Sequence, residues 1–550
     1  MPDGRTEHSE PQQTSPRGSA GLWLFIVVLL AFGLFFRLTN LGKKIYQHDE
    51  AMTSLRVAGF RVEEVRRQLS DGHEISIGEL QQYQRVGPER GLRSTWSSLA
   101  TDDPKHTPLY YLLARIWTQI FGDSVVTLRS LSALIGVLVL PCLFWLCKEL
   151  FASSRTAWMA VGLVAVSPFH ILYAQEARQY SLWTLATVLS SAALLRVLRL
   201  QTWRGWSVYA ATVAMGLYTH ALFVFVPFAH GIYVAGTNPD KSMIRQLRLP
   251  KLVADYLLFT LVAFLVFAPW AFFIVFGLPI LYETTNWLTR DIEPVFFLKR
   301  WILGTSSPFL DTSGGVLFYA KAGIESSATY WVRLPIFLLI GYSFFYLCRN
   351  TPRRVWLFVV ALTGGTILPL LLTDLTMGWR TSTPARYLTP GYLGIQLSVA
   401  YLLASQIVSP RPVWRKLWQM VTVVLIAGEI VSCVRSAQAE TWWNKEASYI
   451  LPRLAQIVNQ SPRPLLVSTL ERKNFGNLIA LSYLLEPKVR FRAVVDPDVA
   501  LRALEGFSDI FVLNPSEQFQ QELQEKEYLI RAVVKSGELW RLIKEPATRQ

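Results

Sequence analysis

The sequence is poor in charge and in cysteine, and both shortages narrow the class of protein. Of its 550 residues only 17% are charged, well below the roughly 25% of an ordinary soluble domain. The four cysteines lie in or beside long apolar runs, at Cys142, Cys147, Cys348 and Cys433. Nothing therefore points to a disulfide framework, and we expect the cysteines to be small apolar filler.

Apolar residues are abundant and bunched. They make up 51% of the chain, the mean hydropathy is +0.29, and the runs have the length of about 17–25 residues that crosses a bilayer as a helix. No small-residue cleavage site follows the first run, which predicts an uncleaved anchor. We predict a polytopic α-helical membrane protein with about eleven or more crossings, over residues 21–38, 130–147, 157–173, 181–199, 206–219, 221–235, 253–277, 331–347, 355–373, 387–408 and 417–434.

The net charge of +15 would suit a nucleic-acid partner, but its distribution argues against one. One set of short loops carries about fifteen Lys and Arg, and the alternate short loops carry only Arg178, Arg380 and Arg386. Cytoplasmic loops are the ones enriched in Lys and Arg. We therefore predict a multi-pass protein of the cytoplasmic (inner) membrane, with a cytoplasmic N-terminus and an exported C-terminal region.

Composition also predicts the domain organisation. Residues 1–19 are polar and predict a disordered cytoplasmic tail. A transmembrane domain over 20–436 would include a first exported loop at 38–129 and a second at 278–330. The short apolar stretch 108–121 predicts an interfacial or re-entrant helix.

Residues 437–550 have the composition of a small exported α/β domain. Apolar stretches at 465–469, 489–493 and 510–513 predict strands, and stretches near 475–485, 497–505 and 515–526 predict helices between them. This region shows no Gly-rich phosphate loop and no nucleophile motif.

The first exported loop opens with two adjacent carboxylates, Asp49 and Glu50. Near a membrane face, desolvation can raise a carboxylate's pKa, and a positioned carboxylate can serve as a general base. Adjacent helical residues point about 100° apart, so one carboxylate could face a substrate while the other holds a partner. The alternative is a solvated acidic pair that caps a helix starting near Ala51.

The same loop ends with Lys105-His106-Thr107-Pro108. Proline at the start of a helix leaves free N–H groups that favour an anion such as phosphate, and Lys105 and His106 would reinforce that preference. Snorkelling of a basic, aromatic-rich helix at the interface is the alternative.

Two later clusters place charge at the exported ends of apolar runs. Glu176, Arg178 and Tyr180 lie between two runs, where Glu176 and Arg178 could form a structural ion pair, or Arg178 could bind a phosphate. Arg386 lies on the side whose short loops otherwise lack cations, so it could bind an anionic headgroup of a substrate or simply meet lipid phosphate.

Four histidines, His48, His106, His170 and His220, also fall near the exported face. Their spacings match no standard metal-ligand pattern, so we predict no metal ligands. A divalent cation stays open as a cofactor, and no other cofactor is indicated.

In this order, the clusters resemble the GT-C-type membrane glycosyltransferases, in particular a bacterial branch similar to protein O-mannosyltransferases and to the enzymes that add aminoarabinose to lipid A. The marks are the acidic pair, His-Xaa-Pro-Leu-Tyr-Tyr, Ser-Pro-Phe-His-Ile…Gln-Glu-Ala-Arg-Gln-Tyr-Ser, and a late Arg-Tyr-Leu-Xaa-Pro. The resemblance covers about residues 20–410. Many relatives have two prolines, sometimes with a lysine, where this chain reads His106-Thr107-Pro108.

This resemblance implies a polyprenyl-phosphate sugar donor, a lipid, glycan or protein acceptor, and chemistry outside the cytoplasmic leaflet. It implies that Asp49 is the base of an inverting displacement, with Glu50 as its neighbour. The substrate-binding or donor-phosphate residues would be Lys105, His106, Glu176, Arg178, Tyr180 and Arg386.

Two other functions stay open from the sequence. A transporter or flippase of a polyprenyl-linked or anionic lipid would place charges and broken helices at the midplane, often in repeated halves. The clusters here fall at the exported ends without a visible repeat, which favours the enzyme. A scaffold subunit of an envelope-polysaccharide assembly would use the C-terminal region for docking.

Overall fold

Helices dominate the computed structural model, which describes residues 16–237, 250–289, 292–312, 328–470, 472–494, 506–526, 528–534 and 537–544. All eleven predicted apolar runs are helical over most of their length. The helices up to residue 438 are α1 Pro16–Leu38, α2 His48–Val57, α3 Val62–Leu69, α4 Ile77–Gln81, α5 Leu92–Asp102, α6 Leu109–Phe121, α7 Val125–Phe151, α8 Ser154–Val166, α9 Pro168–Ala174, α10 Tyr180–Leu200, α11 Trp203–Leu217, α12 Phe225–Thr237, α13 Lys251–Phe276, α14 Leu278–Thr285, α15 Pro294–Ser306, α16 Ala328–Trp331, α17 Leu334–Asn350, α18 Arg353–Met377, α19 Thr389–Gln406 and α20 Pro412–Gln438.

The predicted count of about eleven crossings is not confirmed. Within the described residues, six helices are long and apolar enough to cross a membrane, or up to seven if the bent pair α8–α9 is one span. Several other apolar helices are short: α11 has 15 residues, which is about 23 Å, against a hydrocarbon core of about 30 Å. The predicted tail 1–19 falls largely outside the described residues, although α1 already begins at Pro16.

The long helices differ in how deeply they are buried. In α10, 83% of the most apolar window is buried inside the protein, whereas in α13 only 17% is. Helix α10 packs against α7 and α11, and α19 packs against α8 and α18. Exposed leucine and valine side chains on α13, such as Leu261 and Leu265, are the surface expected to face lipid.

The chain breaks between α8 and α9, shortly before the polar segment that contains Glu176, Arg178 and Tyr180. The two helices meet at 57°, with Ser167 extended and Pro168 at the first position of α9. Because proline has no N–H, the Val164 carbonyl loses the donor that a continuous helix would supply. Arg37 of α1 replaces it, donating to the Val164 oxygen at 3.0 Å and to the Ala165 oxygen at 2.5 Å.

Helix α1 approaches α8 closely enough to make that contact because Gly33 has no side chain. A Cβ atom at Gly33 would come within 2.5 Å of the Ala165 carbonyl oxygen. The close approach of these two helices therefore depends on glycine at this position.

The C-terminal region forms the α/β unit that its composition predicts. Its described helices are α21 Leu451–Asn459, α22 Arg472–Ser482 and α23 Glu517–Glu525, and its strands are β1 Pro464–Thr469, β2 Arg490–Val494, β3 Asp509–Leu513, β4 Tyr528–Ala532 and β5 Leu539–Lys544. The sheet order is β2-β1-β3-β5-β4. The three predicted strands pair in parallel, and β4 and β5 add an antiparallel hairpin. The helix predicted near 497–505 lies outside the described residues.

This α/β unit packs directly on the first loop. Helix α22 lies against α2, and a side chain at Gly476 would collide with the His48 ring. Ile75 and Phe491 exchange two backbone hydrogen bonds of 2.9 Å each. The C-terminal region is therefore joined to the helix that carries the acidic pair.

Candidate active site

Asp49 and Glu50 occupy the first turn of α2, where the helix dipole favours acids. Their side chains face different surroundings. Glu50 is completely buried, whereas Asp49 is only partly buried. The helix thus separates two adjacent carboxylates into two environments.

The Glu50 carboxylate is saturated with donors. Arg129 of α7 binds it with two 2.7 Å hydrogen bonds, from Nε to Oε1 and from Nη2 to Oε2. Lys445 Nζ lies 3.1 Å from Oε2, and the Ala177 backbone N–H donates to Oε1 at 2.9 Å. A carboxylate with all of these partners is fixed in place and has little capacity left for a substrate.

Lys445 also binds Glu176, at 3.0 Å between Nζ and Oε1. Gln47 donates to the same oxygen at 3.1 Å, and Asn444 donates to it as well. Glu50, Glu176, Arg129 and Lys445 thus form a buried group of two acids and two cations, here termed the Glu50 cluster. The sequence had allowed an ion pair between Glu176 and Arg178, but in the structure Glu176 pairs with Lys445.

The two acids of this cluster have opposite pKa shifts. Burial alone would raise the pKa of Glu50, but Arg129 and Lys445 outweigh it and hold the pKa of this carboxyl below its usual value. Burial also raises the pKa of Glu176, where Lys445 offsets only part of the effect. Glu50 is therefore the more strongly ionised of the two.

Asp49 differs from both. Within the described part of the chain, no side chain or backbone N–H donates a hydrogen bond to its carboxylate. Burial alone would raise the pKa of Asp49, but the charges of Arg178 and Arg386 hold it well below its usual value. Asp49 is therefore a carboxylate that favours the ionised form and whose oxygens receive no donor from the described residues.

Arg178 lies next to Asp49 and is held by neutral groups. Its Nη1 donates to the Tyr111 hydroxyl at 3.1 Å and to Thr53 Oγ1 at 3.2 Å, and its contact with the Asp49 backbone oxygen is 3.4 Å. Its buried Nε has no hydrogen-bond partner among the described residues. The guanidinium is therefore oriented by its neighbours without a carboxylate bonded to it.

His106 approaches the other end of Arg178, with its Nε2 2.8 Å from Arg178 Nη2. Because a guanidinium only donates, Nε2 must accept, and the proton of a neutral ring then lies on Nδ1. Nδ1 is 3.1 Å from Asp103 Oδ2. Burial lowers the pKa of His106 to about 4. His106 is thus placed as a neutral support for Arg178, whereas the sequence had suggested a phosphate-binding cation.

Lys105 points elsewhere. Its Nζ donates to the Thr284 carbonyl at 3.2 Å and lies 3.6 Å from Asp103 Oδ1. Pro108 is the N-cap of α6, one position before the predicted N1. The nearby anion of this segment is Asp103, which Arg56 also binds at 2.5 Å. The segment therefore already contains a carboxylate where the sequence suggested a phosphate.

Tyr180 and Arg386 complete the surroundings of Asp49. Tyr180 begins α10, and its ring centre lies 6.0 Å from the Arg178 guanidinium. Arg386 lies in the short 3-10 helix Ala385–Leu388, 7% exposed, and its charge reaches Asp49. We call Asp49, Tyr111, Arg178, His106 and Arg386 the Asp49 cluster.

The histidines do not assemble into a metal site. Among the described residues, no group of three or more His, Cys, Asp or Glu side chains is placed to hold a metal ion. His170 Nε2 lies 2.8 Å from Gln396 Oε1, and His220 stacks on Trp183 with ring centres 3.9 Å apart.

Sequence reasoning missed two residues of the Glu50 cluster, Arg129 and Lys445. Arg129 directly precedes the predicted apolar run 130–147, where an unpaired cation is costly, so Arg129 was a detectable signal. Lys445 gave no such signal, because its partners Glu50 and Glu176 lie 395 and 269 residues away in sequence.

One protein-family model matches part of this chain. Residues 105–273 match the family model described as dolichyl-phosphate-mannose-protein mannosyltransferase. The match covers less than a third of the chain and includes Glu176, Arg178 and Tyr180, but not Asp49, Glu50 or Arg386. The comparison with curated proteins finds no match.

Several solved structures are similar at low identity. The archaeal oligosaccharyltransferase AglB from Archaeoglobus fulgidus, in complex with an inhibitory peptide and a dolichol-phosphate, has a TM-score of 0.49 at 11% identity, covering 98% of this chain and 75% of that one. ArnT from Cupriavidus metallidurans, bound to undecaprenyl phosphate, has a TM-score of 0.44 at 14% identity, covering 97% and 100%.

A structure of an Archaeoglobus fulgidus oligosaccharyltransferase tethered with an acceptor peptide has a TM-score of 0.46 at 10% identity and covers 87% of this chain. This chain spans 64% of the length of that one. The family match over residues 105–273, in the region that contains the predicted Gln-Glu-Ala-Arg-Gln-Tyr-Ser motif, confirms the resemblance of this protein to GT-C-type membrane glycosyltransferases.

Proposed function

We propose that this protein transfers a sugar from a polyprenyl-phosphate-linked donor to an acceptor hydroxyl, with inversion at the anomeric carbon. The acceptor oxygen forms the new bond to that carbon while the bond to the phosphate oxygen breaks. Asp49 takes the proton of the hydroxyl, and the polyprenyl phosphate leaves with the bonding electrons. The family match supports the donor class, because its description names dolichyl-phosphate mannose.

One observation carries this proposal: the Asp49 carboxylate is open while its neighbour Glu50 is saturated. A general base must have a free lone pair within hydrogen-bond reach of the proton that it removes. Within the described residues, the Asp49 carboxylate accepts no hydrogen bond, although it is flanked by the charges of Arg178 and Arg386. Glu50 has the opposite properties and serves as a fixed structural acid.

Arg178 and Arg386 suit the leaving group. A polyprenyl phosphate gains negative charge as it departs, and fixed guanidinium groups stabilise such charge strongly when they are shielded from water. Arg178 is 3% exposed and its Nε has no partner among the described residues. It therefore has donor capacity left for a phosphate oxygen.

The same two arginines link donor binding to proton transfer. In the free protein they hold the pKa of Asp49 well below its usual value, which makes Asp49 a weak base. A phosphate that binds both guanidiniums offsets their charge, so the pKa of Asp49 rises when the donor is present. Asp49 thus becomes a stronger base only in the donor complex.

The reaction also has a proposed side of the membrane. We place the Asp49 cluster on the exported face of the cytoplasmic membrane, because the Lys- and Arg-rich short loops lie on the opposite side of the helices. Cysteines introduced at exposed positions of the first loop should react with a membrane-impermeant maleimide in intact cells. Labelling only after the membrane is permeabilised would contradict this orientation.

The central test is product formation by the full chain in vesicles containing labelled dolichyl-phosphate or undecaprenyl-phosphate sugars, beginning with dolichyl-phosphate mannose. Asp49→Asn should lower the transfer rate by about 10²–10⁴-fold, the usual contribution of a positioned general base. The matched control is Asp71→Asn, because Asp71 is an exposed acid of the same loop.

Equal transfer by Asp49→Asn and the wild type, at equal protein level, would remove Asp49 from the reaction. Movement of the lipid-linked sugar across the bilayer without release of polyprenyl phosphate would instead support the transporter alternative. Release of the phosphate with label in a lipid, glycan or protein fraction identifies the acceptor class.

A further inference from the structure

The segment after α20 reaches into the Glu50 cluster. Lys445 lies in the 3-10 helix Trp443–Ser448, is 1% exposed, and bridges Glu50 and Glu176 at 3.1 and 3.0 Å. Two carboxylates, one guanidinium and one ammonium give the cluster no net charge. Removal of one cation would leave an uncompensated buried negative charge, which is strongly unfavourable.

The acids that Lys445 bridges are adjacent to the residues of the proposed reaction. Glu50 directly follows Asp49, and Glu176 lies two residues before Arg178. Glu50 also accepts the hydrogen bond of the Ala177 backbone, at 2.9 Å. The Glu50 cluster therefore joins the segment that carries Asp49 to the segment that carries Arg178, and Lys445 completes that cluster.

The segment itself is fixed on both sides. The indole N–H groups of Trp442 and Trp443 both donate to Asp311 Oδ2, at 2.8 Å each. The Ser448 hydroxyl accepts from the His48 backbone N–H at 2.9 Å. Lys445 is thus held between the second loop and the first residue of α2, so that its ammonium has little freedom to move.

We infer that Lys445 is a positioning residue for the transfer reaction and that the segment Trp442–Ser448 is a working part of the active site. This inference rests on the proposed function. It gives this segment a role beyond the docking that the scaffold alternative would require, because without it the Glu50 cluster loses one of its two cations.

The test uses the full chain in vesicles with the donor found active for the wild type, beginning with dolichyl-phosphate mannose. Lys445→Met should lower kcat by about tenfold or more at pH 7.5, with a smaller change in KM, because a misplacement near the reacting groups is felt mainly in the transition state. Lys445→Arg keeps the charge and should retain most of the activity. Lys488→Met is the control, since Lys488 pairs with Glu486 on the surface of the same region.

A second readout separates positioning from general damage. The double variant Glu176→Gln/Lys445→Met removes one charge of each sign and should regain much of the lost kcat at pH 7.5. Lys445→Met alone should also regain activity as the pH falls, since protonation of one carboxylate restores neutrality. Besides Lys445, the titratable and charged groups that face Glu50 and Glu176 are Lys44, Tyr46, Tyr110, Arg129 and Arg386.

Wild-type kcat in Lys445→Met would overturn the inference. So would a double variant that folds but stays as inactive as the single variant. If Lys445→Met fails to accumulate, Lys445→Arg and the double variant decide the question, because both keep the cluster neutral. Full activity in Asp49→Asn would refute the proposed function itself, whereas an inactive Asp49→Asn beside an active Lys445→Met would refute only the role of Lys445.

Discussion

Two carboxylates that are adjacent in sequence have opposite environments in this protein. Glu50 is buried and bonded to Arg129, Lys445 and the Ala177 backbone. Asp49 is partly exposed and, within the described residues, its carboxylate accepts no hydrogen bond. Two acids that are neighbours on a helix can thus have separate roles: Glu50 holds the site together, and Asp49 stays available for chemistry.

The cations differ in the same way. In the Glu50 cluster each acid is bonded directly to a cation, at distances between 2.7 and 3.1 Å. In the Asp49 cluster the arginines act on Asp49 through charge, while Arg178 is bonded to neutral groups. The first arrangement favours stability, and the second leaves both charges usable by a substrate.

The separate roles of Glu50 and Asp49 should differ most in their effect on folding. Glu50→Gln should lower the free energy of unfolding by about 3–5 kcal/mol, because it leaves Arg129 and Lys445 with one carboxylate between them. Asp49→Asn should change it little. Thermal unfolding in nanodiscs measures both, and a similar loss of stability in the two variants would contradict the separation of roles.

Substitution of Arg178 should affect the binding of the donor phosphate. Arg178→Ala should weaken the binding of dolichyl phosphate by about 10–100-fold, the equivalent of one charged hydrogen bond of about 1.5–3 kcal/mol. Arg178→Lys should recover part of the affinity, since it keeps the charge without the planar fork. Arg67→Ala is the control, because Arg67 is 79% exposed in the same loop. Unchanged affinity in Arg178→Ala would remove Arg178 from the phosphate site.

The smallest expected effect concerns His106. Its pKa is lowered to about 4, so the ring stays neutral in the folded protein down to that pH while the unfolded chain takes up a proton below about 6.5. Stability should therefore fall as the pH decreases from about 6.5 to 4, and His106→Gln should reduce that slope. His106→Gln should keep most of the transfer activity, whereas His106→Lys, which cannot accept from Arg178, should lose more. An identical pH slope in wild type and His106→Gln would contradict the neutral role.

Apolar length made the helices predictable, but not the number of crossings. All eleven runs form helices, because a buried backbone must satisfy its own hydrogen bonds. Helices as short as α11, however, do not reach the length of a span. The hairpin of β4 and β5 was missed because the alternating burial of β4 is weak, with no fully buried residue.

The candidate site was predictable only in part. Motif resemblance singled out Asp49, Arg178 and Arg386, which the structure places within electrostatic reach of one another. It could not separate Asp49 from Glu50, because their difference depends on Arg129 and Lys445, which reach them from distant segments. The neutral state of His106 likewise depends on burial and on which atom of Arg178 it meets.

The break at Pro168 has a consequence for how the protein is assembled. The carbonyl groups that the break leaves without donors are served by Arg37, a side chain of the anchor helix. A cation that solvates peptide oxygens in this way needs no acid nearby, so a strongly polar residue is tolerated among apolar helices. The anchor helix is therefore part of what fixes the bend that precedes Glu176 and Arg178, together with the hydrogen bond from the Ser167 hydroxyl to the Pro308 carbonyl.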